Sequence, residues 1–269
     1  MDIPTLFSVR NKTVLITGGG KGIGLMISRG FIANGAKVYI TSRDAPALAA
    51  ACASLNALGP GTAHAIPADL YKLSDCEALV QELGRREEKL HVLVNNSGSN
   101  WGEGYDSYPE AAWDRVLTLN LKRVFTLTQM CTPLLERGAV KGVDGGVVGD
   151  PARVVNIGSV DGIAVPALQT FAYSASKAGL HHLSEVLAHH LGKRNITVNT
   201  LACGPFESKM MAATLKKMRS HIEASIPLGR IGTPEDVAGC CLFLASRAGA
   251  YVNGATITVD GGGVVSPKL

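Results

Sequence analysis

Short apolar runs recur along the chain at 13–17 (TVLIT), 37–41 (KVYIT), 62–67, 91–95 (HVLVN), 153–157 (RVVNI), 197–201 (TVNTL) and 256–259. Their apolar character is nearly continuous rather than alternating, which marks strands covered on both faces, as in a parallel sheet. Between them lie stretches at 24–34, 74–88, 109–135, 173–193 and 233–246 whose apolar positions return at helical spacing. The last opens on Thr233-Pro234-Glu235-Asp236, an N-cap followed by proline in the first turn and early acids. Strands alternating with helices imply right-handed crossovers. The pattern therefore predicts an α/β fold, one Rossmann-type domain over 1–269 with a doubly wound seven-stranded parallel sheet and helices on both faces. One segment breaks the rhythm. The stretch at about 138–151 (GAVKGVDGGVVGDP) is glycine-rich and aperiodic and reads as a surface loop.

Composition narrows the function classes. The 269 residues are 46% hydrophobic and 18% charged, with a formal charge of +4. No block of Lys and Arg and no interleaving of basic with aromatic residues accompanies that charge, so nucleic acid is not an expected partner. No run approaches the roughly 18 apolar residues of a membrane span, and the amino terminus lacks the basic and apolar regions of a secretory signal. The six cysteines, Cys52, Cys76, Cys131, Cys203, Cys240 and Cys241, form no C-x-x-C pair and read as reduced packing residues. A cytoplasmic protein is expected. Pro267-Lys268-Leu269 approaches a peroxisomal address, although a frayed tail explains it as simply.

The first chemical signal is Thr17-Gly18-Gly19-Gly20-Lys21-Gly22-Ile23-Gly24, directly after the first strand and opening a helix. Glycines there permit a tight turn and close approach of the backbone to a pyrophosphate, which the helix N-terminus attracts. Gly18, Gly20, Lys21, Gly22, Ile23 and Gly24 are accordingly expected to hold a dinucleotide, and the strand–turn–helix setting is what gives the variant G-x-x-x-G-x-G spacing its weight. At the end of the second strand, Ser42 stands where an acid would hold a ribose 2′-hydroxyl, and Arg43 follows. A cation there suits a 2′-phosphate, so NADP(H) is expected over NAD(H). Asp69 and Leu70 follow the third strand, where Asp69 is a candidate partner of the adenine amino group. Asn96, Ser97 and Gly98 end the fourth strand at the sheet edge where ligands bind, while Asn95 is expected to brace the sheet.

The second signal is Tyr173-Ser174-Ala175-Ser176-Lys177, a phenol and an ammonium four residues apart on one helix face. A phenol with a pKa of about 10 is a poor acid at neutral pH, and a neighbouring cation lowers that value. Ser159 follows the fifth strand at the same sheet edge, with a hydroxyl able to hydrogen-bond a substrate oxygen as charge develops on it. His182, Glu185 and His189 mimic a metal site by spacing, but no metal is expected there.

Taken together, TGGGKGIG (17–24), NNSG (95–98), LNLK (119–122), NIGSV (156–160) and YSASK (173–177) resemble the short-chain dehydrogenase/reductase family across essentially the whole chain. The resemblance implies a tetrad of Asn120, Ser159, Tyr173 and Lys177, with Tyr173 as general acid. It also implies that Lys177 holds the nicotinamide ribose and that Asn120 positions a water relaying protons. The family's Pro-Gly after the sixth strand is here Cys203-Gly204, followed by Pro205. Gly204 keeps the turn on the nicotinamide side. The helix bearing Tyr173 commonly packs at a subunit interface in this family, which implies a homodimer or homotetramer.

Within the family, the segments at 97–109, 151–160, 202–210 and 225–230 are similar to the 3-oxoacyl reductases associated with bacterial rhamnolipid synthesis. That similarity implies an NADPH-dependent reduction of a 3-oxoacyl thioester, carried on coenzyme A or an acyl carrier protein. The segment at about 204–225 is expected to cover the substrate. There Met210, Met211, Leu215 and Met218 offer either an adaptable apolar surface or packing against the body, and Lys216, Lys217 and Arg219 offer charge to an acidic carrier. A secondary-alcohol, polyol or steroid-type dehydrogenase and a non-catalytic dinucleotide-binding regulator are the competing readings on the same fold.

Overall fold

The computed structural model describes residues 2–140, 142 and 149–266. Seven strands, β1 (Thr13–Thr17), β2 (Lys37–Thr41), β3 (Thr62–Ala65), β4 (Val92–Asn95), β5 (Ala152–Ile157), β6 (Ile196–Cys203) and β7 (Thr256–Val259), form one sheet. Their order is β3-β2-β1-β4-β5-β6-β7, and every pairing is parallel. The chain leaves β1 toward β2 and β3, then returns to the other side of β1 for β4. That reversal opens a crevice at the carboxyl edge between β1 and β4, the place where such sheets take ligands.

Nine α-helices accompany the sheet among the described residues: α1 (Ile3–Leu6), α2 (Gly22–Ala33), α3 (Ala45–Asn56), α4 (Leu73–Arg86), α5 (Glu110–Leu117), α6 (Arg123–Gly138), α7 (Phe171–Gly192), α8 (Ala212–Ser225) and α9 (Pro234–Ala245). Strand residues alternate between two apolar layers because successive side chains point to opposite faces. Val14 and Ile16 of β1 pack with Ile27 and Phe31 of α2, Leu48 of α3 and Cys241 of α9. Leu15, between them in sequence, packs on the other face with Leu79 of α4, Leu127 of α6 and Leu187 of α7. Burying each such side chain contributes roughly 1.5–3 kcal/mol. A strand flanked by both layers is therefore mostly apolar, which explains its near-continuous apolar run, and polar residues such as Asn95 and Arg153 are hydrogen-bonded.

Three details depart from the sequence reading. The single helix expected over 109–135 is α5 and α6 joined by a π-helical turn, Thr118–Lys122, and α6 continues past Pro133 to Gly138. The third strand ends at Ala65, two residues short of Pro67, although the amide of Ile66 still donates to the Ile40 carbonyl at 3.0 Å. An alanine-rich helix, α3, is one that periodicity does not single out. It is started by Asp44, whose carboxylate accepts from the Ala47 amide at 3.1 Å. The glycine-rich segment is pinned at its ends by paired amide–carbonyl bonds between Val140 and Asp150. Most of its interior and Pro267-Lys268-Leu269 lie outside the described residues.

Below the sheet, cations hold the end of α9. Arg153, 1% exposed, donates to the carbonyls of Leu244 and Ser246 and to the Asp150 carboxylate. Lys12 donates to the same carboxylate and to the Ala245 carbonyl. These charges meet carbonyls that α9 leaves unsatisfied at its C-terminus. No helix among the described residues is long and apolar enough to cross a membrane.

Candidate active site

The glycine turn lies at the crevice. Gly18 and Gly22 adopt positive φ, +65° and +51°, a region that side chains disfavour. Gly24 faces a different demand. A Cβ there would sit 2.3 Å from the Gly18 carbonyl oxygen and 2.5 Å from Asn96 Nδ2, so α2 can approach the turn only without one. The first amides of α2, at Gly22, Ile23 and Gly24, have no acceptor within the helix. Amides free at a helix N-terminus, beside a turn closed to side chains, fit the phosphates of a dinucleotide.

Asn96 holds this turn rather than pointing away from it. Its Nδ2 donates to the Thr17 carbonyl at 2.8 Å and its own amide donates to Thr17 Oγ1 at 2.9 Å. The Ser97 amide donates to the same hydroxyl at 2.8 Å. Thr17, not singled out from the sequence, is thus the hub joining β1 to the loop after β4. Asn95 braces the sheet as expected, donating to Asn156 Oδ1 at 2.9 Å and Thr128 Oγ1 at 3.1 Å. Gly98 passes close to a side chain of the protein itself, since a Cβ there would meet Asn120 Oδ1 at 2.9 Å.

At the end of β2, Ser42 is half-buried and Arg43 exposed. The Asp44 carboxylate caps α3, and among the described residues it makes no ion pair with Arg43. Lys21, exposed, stands at the N-cap of α2. Asp69 lies beyond β3 and accepts from the Tyr71 amide at 3.2 Å through one carboxylate oxygen. The adjacent Leu70 is buried, and its carbonyl accepts from Arg123 at 3.0 Å.

The chemical end is built by β5, α7 and the π-helical turn. Tyr173 and Lys177 stand one turn apart on α7, with Lys177 Nζ 5.6 Å from the centre of the Tyr173 ring. Lys177 is buried and donates to the Ile157 carbonyl at 2.7 Å. Burial pushes its pKa down to about 8, against the opposing pull of Cys203 and Asp161. Ser159, buried, follows β5 directly. Its hydroxyl accepts from the Asp161 amide at 3.2 Å and lies beside the Tyr173 phenol, whose proton loss it eases.

Lys177 was expected to lower the Tyr173 pKa with help from burial and the positive nicotinamide of the oxidised cofactor. In the protein alone, burial acts the other way and the phenol lies above its ordinary value. Burial dominates, the Ser159 hydroxyl opposes it, and the charges of Asp161 and Cys203 add to the rise. Without its proton the phenol would be an anion in a poorly solvated place, so it keeps the proton.

Asn120, 1% exposed, sits in the π-helical turn. Its Oδ1 accepts from the Ser99 amide at 2.9 Å, while Nδ2 donates to the Ser99 carbonyl at 2.9 Å and to Ser176 Oγ at 3.0 Å. Ser176 in turn donates to the Tyr173 carbonyl at 2.7 Å. Asn120 therefore ties the loop after β4 to the helix bearing Tyr173. Ser176 and Asp161 were missed in the sequence. The one lies inside the Tyr–Lys motif and the other two residues beyond Ser159, and proximity in sequence is the signal each offered. Burial raises the Asp161 carboxyl pKa while Lys177 opposes the rise.

Gly204 lies where β6 meets β7, and a Cβ there would come 2.7 Å from Cβ of Asp260. Cys203 beside it is buried, as are Cys76, Cys131 and Cys241, and all six cysteines are free. The segment beyond divides between its two expected roles. Leu215 packs with Ile226 and Ile231, and Met211 packs against them, whereas Met210 and Met218 are exposed. Ser208 lies against Gly22, since a Cβ on that glycine would meet Ser208 Cβ at 3.2 Å. A cavity of about 420 Å³ is lined by Ser208, Lys209, Leu215, Lys216 and Arg219 among others. Arg219 pairs with Glu207 and Glu223, while Lys216 and Lys217 are exposed. His182 and Glu185 form an exposed pair at 3.3 Å.

The family model for enoyl-(acyl carrier protein) reductase matches residues 18–263. Over 258 residues the chain is 43% identical to the rhamnolipids biosynthesis 3-oxoacyl-[acyl-carrier-protein] reductase of Pseudomonas aeruginosa, covering 95% of this chain and 97% of that one. It is 35% identical over 251 residues to a Chlamydia pneumoniae 3-oxoacyl-[acyl-carrier-protein] reductase, covering 93% and 96%. Among solved structures, the Pseudomonas aeruginosa RhlG/NADP active-site complex superposes with a TM-score of 0.90 at 42% identity, over 97% of this chain and 99% of that one. The matched residues run from the glycine turn through Tyr173 and Lys177 to the end of the last strand, and the chain belongs to the short-chain dehydrogenase/reductase family.

Proposed function

We propose that this protein reduces the ketone of a 3-oxoacyl thioester to a secondary alcohol with NADPH. The observation that carries the reading is the convergence of Ser159, Tyr173 and Lys177 at the carboxyl edge beside the glycine turn, in a chain so similar to 3-oxoacyl reductases. The cofactor, when bound, supplies hydride to the carbonyl carbon. Gly18, Gly20, Gly22, Ile23 and Gly24 would hold its pyrophosphate, and Arg43 with Lys21 and Ser42 would read its 2′-phosphate. Asp69 and Leu70 would meet the adenine, and Ser97, Gly98 and Gly204 would meet the nicotinamide side.

Reduction needs an acid at the carbonyl oxygen; Tyr173 carries a proton to give, but burial holds that proton back, so the charge left behind must be stabilised as it leaves. The Ser159 hydroxyl supports the oxygen as it becomes negative. As the proton leaves Tyr173, the Lys177 ammonium over the ring stabilises the phenolate that remains. The side-chain amide of Asn120 makes three hydrogen bonds that fix the π-helical turn, where Asn120 would position a water that relays protons to Lys177. Exposed Met210 and Met218 suit an acyl chain, and Lys216 and Lys217 suit the acidic surface of a carrier. A cytoplasmic homodimer or homotetramer is the form in which we expect the protein to work.

The test is a panel of acetoacetyl and longer 3-oxoacyl thioesters beside unthiolated ketones, sugars and polyols, each with NADPH and NADH. Thioester reduction with NADPH at the highest kcat/KM is expected. Turnover confined to polyol or steroid alcohols would favour the dehydrogenase reading instead.

A further inference from the structure

Tyr173, Lys177 and His181 are spaced four apart on α7 and so follow one stripe of the helix. His181 is 8% exposed. Its Nε2 accepts a hydrogen bond from the Ser159 amide at 3.4 Å. The imidazole occupies a slot that two glycines keep open. A Cβ on Gly158 would lie 2.4 Å from Nε2, and a Cβ on Gly162 would lie 2.8 Å from Cε1. The ring therefore touches the chain on both sides of Ser159 as well as the Ser159 amide itself. Acceptance at Nε2 requires the neutral ring with its proton on Nδ1. Burial, and after it the Lys177 ammonium, favours that neutral form, with Glu185 opposing.

A hydrocarbon of similar size would fill the slot but leave the Ser159 amide without an acceptor in a buried place. The Ser159 hydroxyl depends on that backbone, because it accepts from the Asp161 amide and lies beside the Tyr173 phenol within a turn only a few residues long. We propose that His181 is a positioning residue, fixing the Ser159 hydroxyl against Tyr173 by holding the backbone of the turn between β5 and α7. The inference rests on the reading of Ser159 as the group that meets the carbonyl oxygen.

The experiment compares His181→Leu, His181→Gln, Ser159→Ala and the double variant His181→Leu/Ser159→Ala. The measurements are kcat, KM for NADPH and hydrogen exchange at the Ser159 amide. His181→Leu is expected to lower kcat about tenfold, as small misplacements of reacting groups do, with KM for NADPH unchanged. His181→Gln should recover most of the loss, since its amide oxygen reaches about as far as Nε2. In the Ser159→Ala background, His181→Leu should cost nothing further. An unchanged kcat in His181→Leu, or losses that multiply in the double variant, would overturn the proposal. If His181→Leu fails to fold, His181→Asn, whose amide is too short to reach Ser159, takes its place. A wild type that turns over no ketone would refute the functional reading alone. The positioning claim would then be read from exchange at Ser159, slow in wild type and His181→Gln and accelerated in His181→Leu; equal exchange in all three would refute it.

Discussion

Tyr173 and Lys177 were legible as a pair because their relation is local: four residues on a helix put them together whatever the rest of the chain does. What surrounds them was not. The phenol was expected to be acidified by its neighbour, but Lys177 is tied to the Ile157 carbonyl and burial decides the sign. His181, Asp161 and the double tie between Asn120 and Ser99 depend on where α7 and the π-helical turn cross β5 and the loop after β4. No spacing in the sequence encodes that crossing. Two predictions belong to this scale. Arg43→Asp should lower kcat/KM with NADPH by roughly 100-fold, the worth of a charge-assisted contact turned repulsive, with NADH use spared; equal loss with both cofactors would count against the assigned role. Lys177 is charged below its pKa of about 8 and neutral above. The kcat/KM for reduction should therefore fall as pH rises through about 8, and a profile flat to about pH 10 would contradict it.

Among the elements, the central strands were legible because both faces are buried and the apolar runs are long enough to show it, while the edge strands β3 and β7 are only partly covered. The boundaries were less legible. The π-helical turn interrupts a hydrophobic period that reads unbroken, and α3 is too uniformly alanine-rich to announce a face. At the loop after β4, the bond from the Asn96 side chain to the glycine turn is likewise one that no spacing encodes. One element-scale prediction concerns the start of β4. His91 Nδ1 accepts from the Thr13 amide at 2.8 Å, and burial, with the charges of Lys89 and Lys12, pushes its pKa down to about 4. The unfolded chain takes up this proton near pH 6.5 and the folded one only near 4, so stability falls as pH drops through that window. The loss amounts to at most about 3 kcal/mol at ~1.36 kcal/mol per unit, and His64 and His181, also lowered by burial, act in the same direction. Denaturant midpoints measured across the window should decline in wild type and decline less in His91→Asn. Parallel curves would remove His91 from the account.

At the scale of the molecule, the reversal of strand order and the carboxyl-edge loops bring the glycine turn and α7 to one crevice, although some 150 residues separate them. The far edge is held independently by Arg153, Lys12 and Asp150, which anchor α9 and leave the loops at the crevice to carry the chemistry. The central claim is that Tyr173 gives the proton that completes carbonyl reduction. It is tested most directly by comparing wild type and Tyr173→Phe in NADPH-dependent reduction of an acetoacetyl thioester, with NADPH binding measured alongside by fluorescence. The variant should lose at least about 100-fold in kcat, the scale of a general acid's contribution, while binding NADPH as wild type does. Turnover by Tyr173→Phe at the wild-type rate would contradict the account.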